Sequence, residues 1–370
     1  MKIFLAYFIP LILFVIGMRF DKSKIVTFLF LTYFWILMGL NTNSPDYSSY
    51  EMYYFYTSSF KVEWGFKFLC NLFRNAGLTY QQFRMVYAAI YSCLAIATAK
   101  RLSSHINYIL AMFLLMPFVL NVSGIRFALA SMIVCFGIPY LLPRQKIGNF
   151  KYIICVIIAS LFHKSVIFYL VFLFAKKRYK ILQYCLMIVA VIISAFLIRS
   201  SILLNIVLKY YPNVTLIKWL SLNNTGIGRL NLTGFLVNVF FVIAFPMLIS
   251  ALTKLIMKSH KKDLVEDAAN AEEGMYQQLI LYKNISIYGL LAIPGYLISS
   301  EYQRFLFGVL MVYYSTFASF KYSRLNMRGY KKMMYKFIIL ILVVLLLALY
   351  IYSMQSHDVF ATFRDNMLFQ

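Results

Sequence analysis

Two residues invite chemistry by type and setting: an arginine just inside an apolar stretch, and a histidine between two others. Arg126 stands in NVSGIRFALA, one turn into a run of membrane-spanning character. Holding a guanidinium at the centre of a bilayer costs about 2.5–3.5 kcal/mol on insertion scales, and less toward the edge. Ser123 and Gly124 open the helix that carries it, so the free amides of a helix N-terminus and the arginine fork face the same compartment. That combination suits phosphate. Snorkelling of the guanidinium to headgroups is the simpler alternative. His163 sits between ASLF and KSVIF, next to Lys164. Imidazole titrates near working pH, which a general base for a sugar hydroxyl requires; a locally satisfied core histidine is the alternative.

A second tier of polar residues shares the same side of the chain. Arg304, in SSEYQRFLFG, mirrors Arg126, and Glu301 is placed to pair with it. Asp46, in SPDY, is a turn residue by composition. With Glu63 and the Tyr47, Tyr50, Tyr53 and Tyr54 cluster it gives an acidic and aromatic loop of the kind that holds sugar rings, although an interfacial belt also accounts for tyrosines in a chain with 30 of them. Arg229 lies in a later polar loop. There is no Walker motif, no GxGxxG after a strand, no HExxH and no DxD-type pair, so ATP-driven pumping and metalloproteolysis have no support. The five cysteines show no CxxC or Cys/His spacing, and neither a metal nor a cofactor is expected.

The elements that must position these residues are set by composition. The 370 residues are 62% hydrophobic and 13% charged, with a mean hydropathy of +0.76, against about 25% charge in an ordinary soluble domain. Lipid must be the solvent for much of this chain. The formal charge of +24 does not indicate nucleic acid, because the basic residues flank apolar segments instead of forming one patch. We predict an all-α polytopic membrane helix bundle, with segments near 3–18, 25–40, 83–99, 106–121, 125–142, 152–162, 165–175, 181–198, 232–256, 277–298, 303–320 and 335–355. That is about 11–12 membrane segments of a single multi-pass domain over 1–370, the first taken as a span and not a cleavable signal. Alternate connections carry more than half of the 36 basic residues, which makes that side cytoplasmic and puts both termini outside. Basic clusters flank both ends of 152–175, so this stretch is expected to turn outside at His163–Lys164 as a short or re-entrant hairpin. Outer loops are expected at 41–82 and 199–231, an inner one at 257–276, and a surface helix at 64–73 (WGFKFLCNLF) with Trp, Phe and Leu on one face.

In order, PDYSSYEMYY, EWGFKFL, SGIRFALA, ASLFHKSVIFYLVFLF and the late EYQRF resemble the Wzy-type polysaccharide polymerases of the EpsG-like branch, over nearly the whole chain. The resemblance implies a multi-pass enzyme of capsule, exopolysaccharide or O-antigen assembly in a bacterial cytoplasmic membrane. It would join repeat units carried on undecaprenyl diphosphate, both donor and acceptor, at the outer face, without metal or nucleotide sugar. A flippase and a chain-length regulator of the same pathway would be its partners. By the same resemblance Arg126 holds the donor diphosphate, and His163 is the base or positions the acceptor hydroxyl. Arg304 is a second diphosphate contact, while Asp46, Tyr47 and Glu63 line the sugar groove; Tyr50, Lys164 and Arg229 are further substrate-contact candidates because they are polar residues expected on the outer side. A glycan ligase or acyltransferase on a similar scaffold, or a lipid-linked oligosaccharide flippase, are the rival functions. Cysteines placed at positions 126 and 163 of a cysteine-free chain should react with a membrane-impermeant thiol reagent from outside; reaction only from inside would overturn both topology and site.

Overall fold

The structure, a computed structural model, describes residues 2–143, 146–176, 269–292, 303–322 and 330–355, with isolated residues between 185 and 251 and Asn366. Arg229, Glu301, most of 181–198, 199–231 and 232–256, and residues 257–268 of the expected inner loop lie outside the described residues. Every regular element among the described residues is helical. The chain divides into two compact units, Met1–Leu170 with Gly308–Gln370, and Val171–Phe307.

In the first unit, α1 (Lys2–Arg19) and α2 (Lys24–Gly39) are joined by a tight turn, and the Ser23 hydroxyl caps α2 by accepting from Val26 N–H at 3.5 Å. The expected outer loop 41–82 contains two short helices, α3 (Tyr47–Phe55) and α4 (Trp64–Asn75). The next span, α5 (Tyr80–Leu102), starts three residues before the expected 83. Its start is fixed by a capping box: Gln82 N–H donates to the Thr79 hydroxyl at 3.3 Å, and Thr79 N–H donates to Gln82 Oε1 at 2.9 Å.

Helix α6 (Ile106–Ser123) is kinked at Met116–Pro117. Proline supplies no N–H to the helical ladder, and at the kink the Met116 carbonyl accepts from the Tyr314 hydroxyl at 2.7 Å. Helix α7 (Ile125–Gly137) starts at Gly124 and tightens into a 3-10 turn over Ile138–Leu141. Helix α8 (Gly148–Ser160) ends at the turn 161–163 and is followed by a 3-10 run, Lys164–Lys176. The chain thus breaks at the histidine, as the charge pattern required. The two legs are cross-bonded by the Tyr152 hydroxyl, which donates to Tyr169 O at 2.8 Å. At 13 residues, α8 is about 20 Å long, well short of a full bilayer core.

In the second unit, α9 (Ala269–Tyr288) and a 3-10 turn (Gly289–Ala292) precede α10 (Gln303–Phe307). The end of the expected inner loop 257–276 is therefore helical from Ala269. Asn284 Nδ2 ties this helix to Ala175 O at 2.7 Å. The expected span 303–320 is interrupted at Gly308–Val309, after which α11 (Leu310–Tyr322) and α12 (Tyr330–Gln355) belong to the first unit. Among the described residues two helices, Tyr80–Leu102 and Ile106–Ser123, are long and apolar enough to cross a bilayer. Large apolar side chains such as Ile25, Phe28 and Val15 point outward, with 75%, 63% and 63% of their surface exposed.

The first unit has two chemically distinct ends. At one, Asn107 Nδ2 donates to Phe20 O and Ser23 O at 2.7 and 2.8 Å, and His105 pairs with Asp21. The Arg101 guanidinium lies 4.2 Å from the ring centres of both Phe136 and Tyr140, and Lys151 lies over Tyr140. Basic turns thus gather here. At the other end a fully buried arginine, Arg84, donates from Nε to Met38 O at 2.8 Å and from Nη2 to Val122 O at 3.0 Å. Those carbonyls close α2 and α6, so the cation meets the negative ends of two helix dipoles. Asn366 reaches this end too, donating to Ile36 O at 3.0 Å. Arg84→Leu should lower the stability of the detergent-solubilised protein by about 2–4 kcal/mol, because two buried carbonyls lose their donor. Thermal unfolding followed by size-exclusion chromatography measures it, and an unchanged melting temperature would refute this role for Arg84.

Candidate functional site

Helix α4 is amphipathic as written in the sequence. Gly65, Phe66 and Cys70 face inward, while Trp64, Phe68 and Leu72 are exposed, with Trp64 stacked on Phe68 at 5.5 Å. Phe66 packs among Tyr50, Phe83 and Tyr87 at ring separations of 5.8–6.0 Å. Beyond the end of α4 at Asn75 the chain turns away through Gly77, whose φ of +78° favours a residue without Cβ. Helix α3 is sewn to it: Arg74 Nη1 donates to Phe55 O at 2.5 Å, and the Tyr54 hydroxyl donates to Leu78 O at 2.6 Å.

At its other end α4 touches the histidine turn backbone to backbone. Gly65 N–H donates to Leu161 O at 2.8 Å. A Cβ on Gly65 would lie 2.9 Å from both that oxygen and Leu161 Cβ, so only glycine permits this approach. The contact delivers Glu63, the residue just before α4, to the centre of the site. Its Oε2 accepts from Arg126 Nη1 at 2.5 Å, and its Oε1 accepts from Lys164 N–H at 3.3 Å. One carboxylate therefore joins the arginine of α7 to the first amide of the 3-10 run. The Arg126 side chain is only 18% exposed and that of Glu63 12%. Three rings surround the guanidinium: Tyr50, Tyr53 and Phe66, at 5.4, 5.3 and 5.7 Å. Arg126 is held in a cage of rings with a carboxylate partner.

His163 stands beside this pair. Its Nδ1 shares a 2.8 Å hydrogen bond with the Ser165 hydroxyl, and its ring meets Phe127 edge-on at 5.3 Å. Phe127 is the residue after Arg126, so the imidazole and guanidinium are borne by adjoining structure. The Lys164 side chain is exposed.

Of the residues singled out from the sequence, Arg126, Glu63, His163, Lys164 and Tyr50 come together. Tyr47 belongs to the flank: its hydroxyl donates to Gln81 Oε1 at 3.1 Å, its ring packs on Tyr80, and Arg84 lies over it at 5.3 Å. Burial, then the charge of Glu51, raises the Tyr47 phenol above its ordinary pKa. Asp46 takes the N-cap position of α3 without a side-chain cap bond. Arg304 is half-buried on α10 in the second unit. Burial pushes the Cys70 thiol up to about 12, which makes it a packing residue and not a nucleophile. Among the described residues no three His, Cys, Asp or Glu side chains converge.

The EpsG family matches residues 23–364, nearly the whole chain. The chain belongs to the EpsG family. Neither the curated proteins nor the solved structures searched contain a match. EpsG is a Wzy-like family of the polysaccharide-polymerase type, which with the apolar helices marks the chain as an integral membrane protein of polysaccharide biosynthesis.

Three features of this EpsG-family site escape a linear inspection. Glu63 pairs with Arg126 across the fold. Tyr53 and Phe66 complete the cage. Arg84 is a second deep arginine at the same end; the sequence signal for it was a cation on the fifth residue of a capped span, with no acidic residue within the helix. Gly65→Val should separate α4 from Leu161 and cost about 1–3 kcal/mol through the clash and the lost backbone bond. A variant that melts with the wild type in detergent would show that the close approach is dispensable.

Proposed function

We propose that this EpsG-family protein is a membrane glycosyltransferase that polymerises undecaprenyl-diphosphate-linked oligosaccharide repeat units at the outer face of a bacterial cytoplasmic membrane, for capsule, exopolysaccharide or O-antigen. The observation that carries it is the junction of Arg126, Glu63 and the His163–Ser165 turn, at the end of the first unit opposite its basic turns. With the basic turns in the cytoplasm, this junction faces outward, where lipid-linked repeat units are joined in the family the chain resembles. The exposed apolar faces meet lipid, and the chain forms a polytopic bundle with both termini outside.

In the proposed reaction an acceptor hydroxyl attacks the anomeric carbon of the donor. The bond from that carbon to the lipid diphosphate breaks, and the diphosphate leaves with the electron pair. Arg126 binds the developing charge on the leaving group, where a preorganised cation contributes most. His163 takes the hydroxyl proton; with Nδ1 held by Ser165, the transfer runs through Nε2. Lys164 extends the positive surface toward the donor. From the family resemblance Arg304 is proposed as a further diphosphate contact; Arg229 is proposed as a further substrate contact, and Asp46, Tyr47 and Tyr50 as the side of the sugar groove. A flippase and a chain-length regulator would act before and beside it.

The test is a gel of lipid-linked and surface glycan from cells lacking the gene, complemented with variants. Wild type should restore a ladder. His163→Ala should reduce polymer by about 10²-fold or more, the usual worth of a general base, with single repeat units accumulating outside. Arg126→Lys should also be severely impaired, since ammonium offers a point charge in place of a fork. Single units trapped at the inner face, or undecorated carrier, would favour a flippase and remove the catalytic assignments; full activity of the lysine variant would refute the fork.

A further inference from the structure

The carboxylate in the site lies where an anionic substrate is expected. Glu63 puts one oxygen on Arg126 and the other on the Lys164 amide, the first N–H of a helical run. Those are two donor types that a phosphate oxygen uses: a guanidinium fork and a helix-start amide. The guanidinium gives Glu63 one of its N–H groups, and Arg126 Nε is buried without a hydrogen-bond partner. The rings of Tyr50, Tyr53 and Phe66 hold the cation whatever anion it faces. Glu63 itself belongs to the link before α4, outside the helix. Its backbone carbonyl accepts from Lys67 N–H at 3.0 Å, so the bond that starts α4 is made by the backbone and does not depend on where the carboxylate lies.

We infer that Glu63 is a tethered counter-ion which occupies the Arg126–Lys164 anion seat at rest and is displaced from it by the substrate diphosphate. This rests on the assignment of Arg126 to diphosphate binding above. Glu63 is then a positioning residue: it keeps a caged arginine and a helix start neutralised between turnovers. The diphosphate, with more charge and more oxygens than one carboxylate, takes over both donors when it arrives. No bond is made or broken in the exchange, and charge in the seat stays negative throughout. By contrast, a static Glu63 would hold Arg126 in place for a ligand that binds elsewhere on the fork, and its loss would then weaken binding.

The two roles give opposite signs. Binding of inorganic pyrophosphate to the full-length protein in detergent would be measured by titration calorimetry for wild type, Arg126→Ala, Glu63→Gln, Glu63→Asp and the Arg126→Ala/Glu63→Gln double variant, each first checked by size-exclusion chromatography and thermal unfolding. Exchange predicts that Glu63→Gln binds about tenfold tighter than wild type, the fold-change of one charge-assisted contact no longer competed for. Glu63→Asp, which keeps the charge on a shorter arm, should fall between them, and the double variant should lose binding. Arg126-dependent binding that is unchanged or weaker in a folded Glu63→Gln protein overturns the exchange while leaving Arg126 in the diphosphate site. If Glu63→Gln does not fold, Glu63→Asp decides: an affinity at or below wild type overturns the exchange. Pyrophosphate binding that is indifferent to Arg126 overturns the diphosphate assignment itself, and the exchange with it.

Discussion

A charged guanidinium held out of bulk water needs an anion and a fixed geometry, and at Arg126 a single carboxylate supplies the anion. Most of the surrounding structure exists to bring that carboxylate in. Glu63 lies 63 residues before its partner in the chain, in a loop that has no intrinsic reason to approach α7. The approach is enforced by α4, whose buried Phe66 and Cys70 lock it against α5, and by Gly65, whose missing Cβ lets it lie against Leu161. The histidine turn is placed by the same contact. Removing water also strengthens the attraction inside the cage, since the effective dielectric is far below that of solvent.

Arg84 shows the other solution to the same problem. It is fully buried at the same end of the unit, yet carbonyls from two helix termini and the Ser44 hydroxyl receive its hydrogen bonds, and among the described residues no carboxylate does. Backbone carbonyls cannot leave. A side-chain carboxylate at the edge of a helix can. The two arginines are chemically alike, and on the proposed exchange they are functionally unlike: Arg84 fastens α2, α5 and α6 to one another, while Arg126 keeps a partner that a substrate can displace.

What the sequence disclosed follows from what local pattern can encode. The aromatic face of α4 was legible because Trp64, Phe68 and Leu72 recur at helical spacing, and the break at His163 because basic clusters flank 152–175 on both sides. Arg126 and His163 stood out as polar residues in apolar surroundings. The start of α5 was present in Thr79 and Gln82, but a hydropathy outline passes over a capping box made of polar residues. The interruption at Gly308–Val309 leaves no polar mark at all. Tertiary pairs were beyond reach for a different reason: a carboxylate in an acidic-aromatic loop and an arginine in a later span carry no local sign that they meet. Arg84 was hidden by its place near the end of a span, where a cation ordinarily suggests snorkelling.

The aromatic cage bears on selectivity as well as on position. The rings of Tyr50, Tyr53 and Phe66 attract the guanidinium and orient the fork, with the Tyr50 hydroxyl as one further partner of Arg126 beside the anion. A seat already filled by a carboxylate then discriminates by charge. A neutral glycan gains nothing there, and a singly charged headgroup offers little that Glu63 does not. A diphosphate outbids both because it brings several oxygens and more than one charge to a fork and an amide already in place. On the proposed exchange, the ion pair that lets Arg126 be buried at all is also the filter that reserves it for the lipid-linked donor.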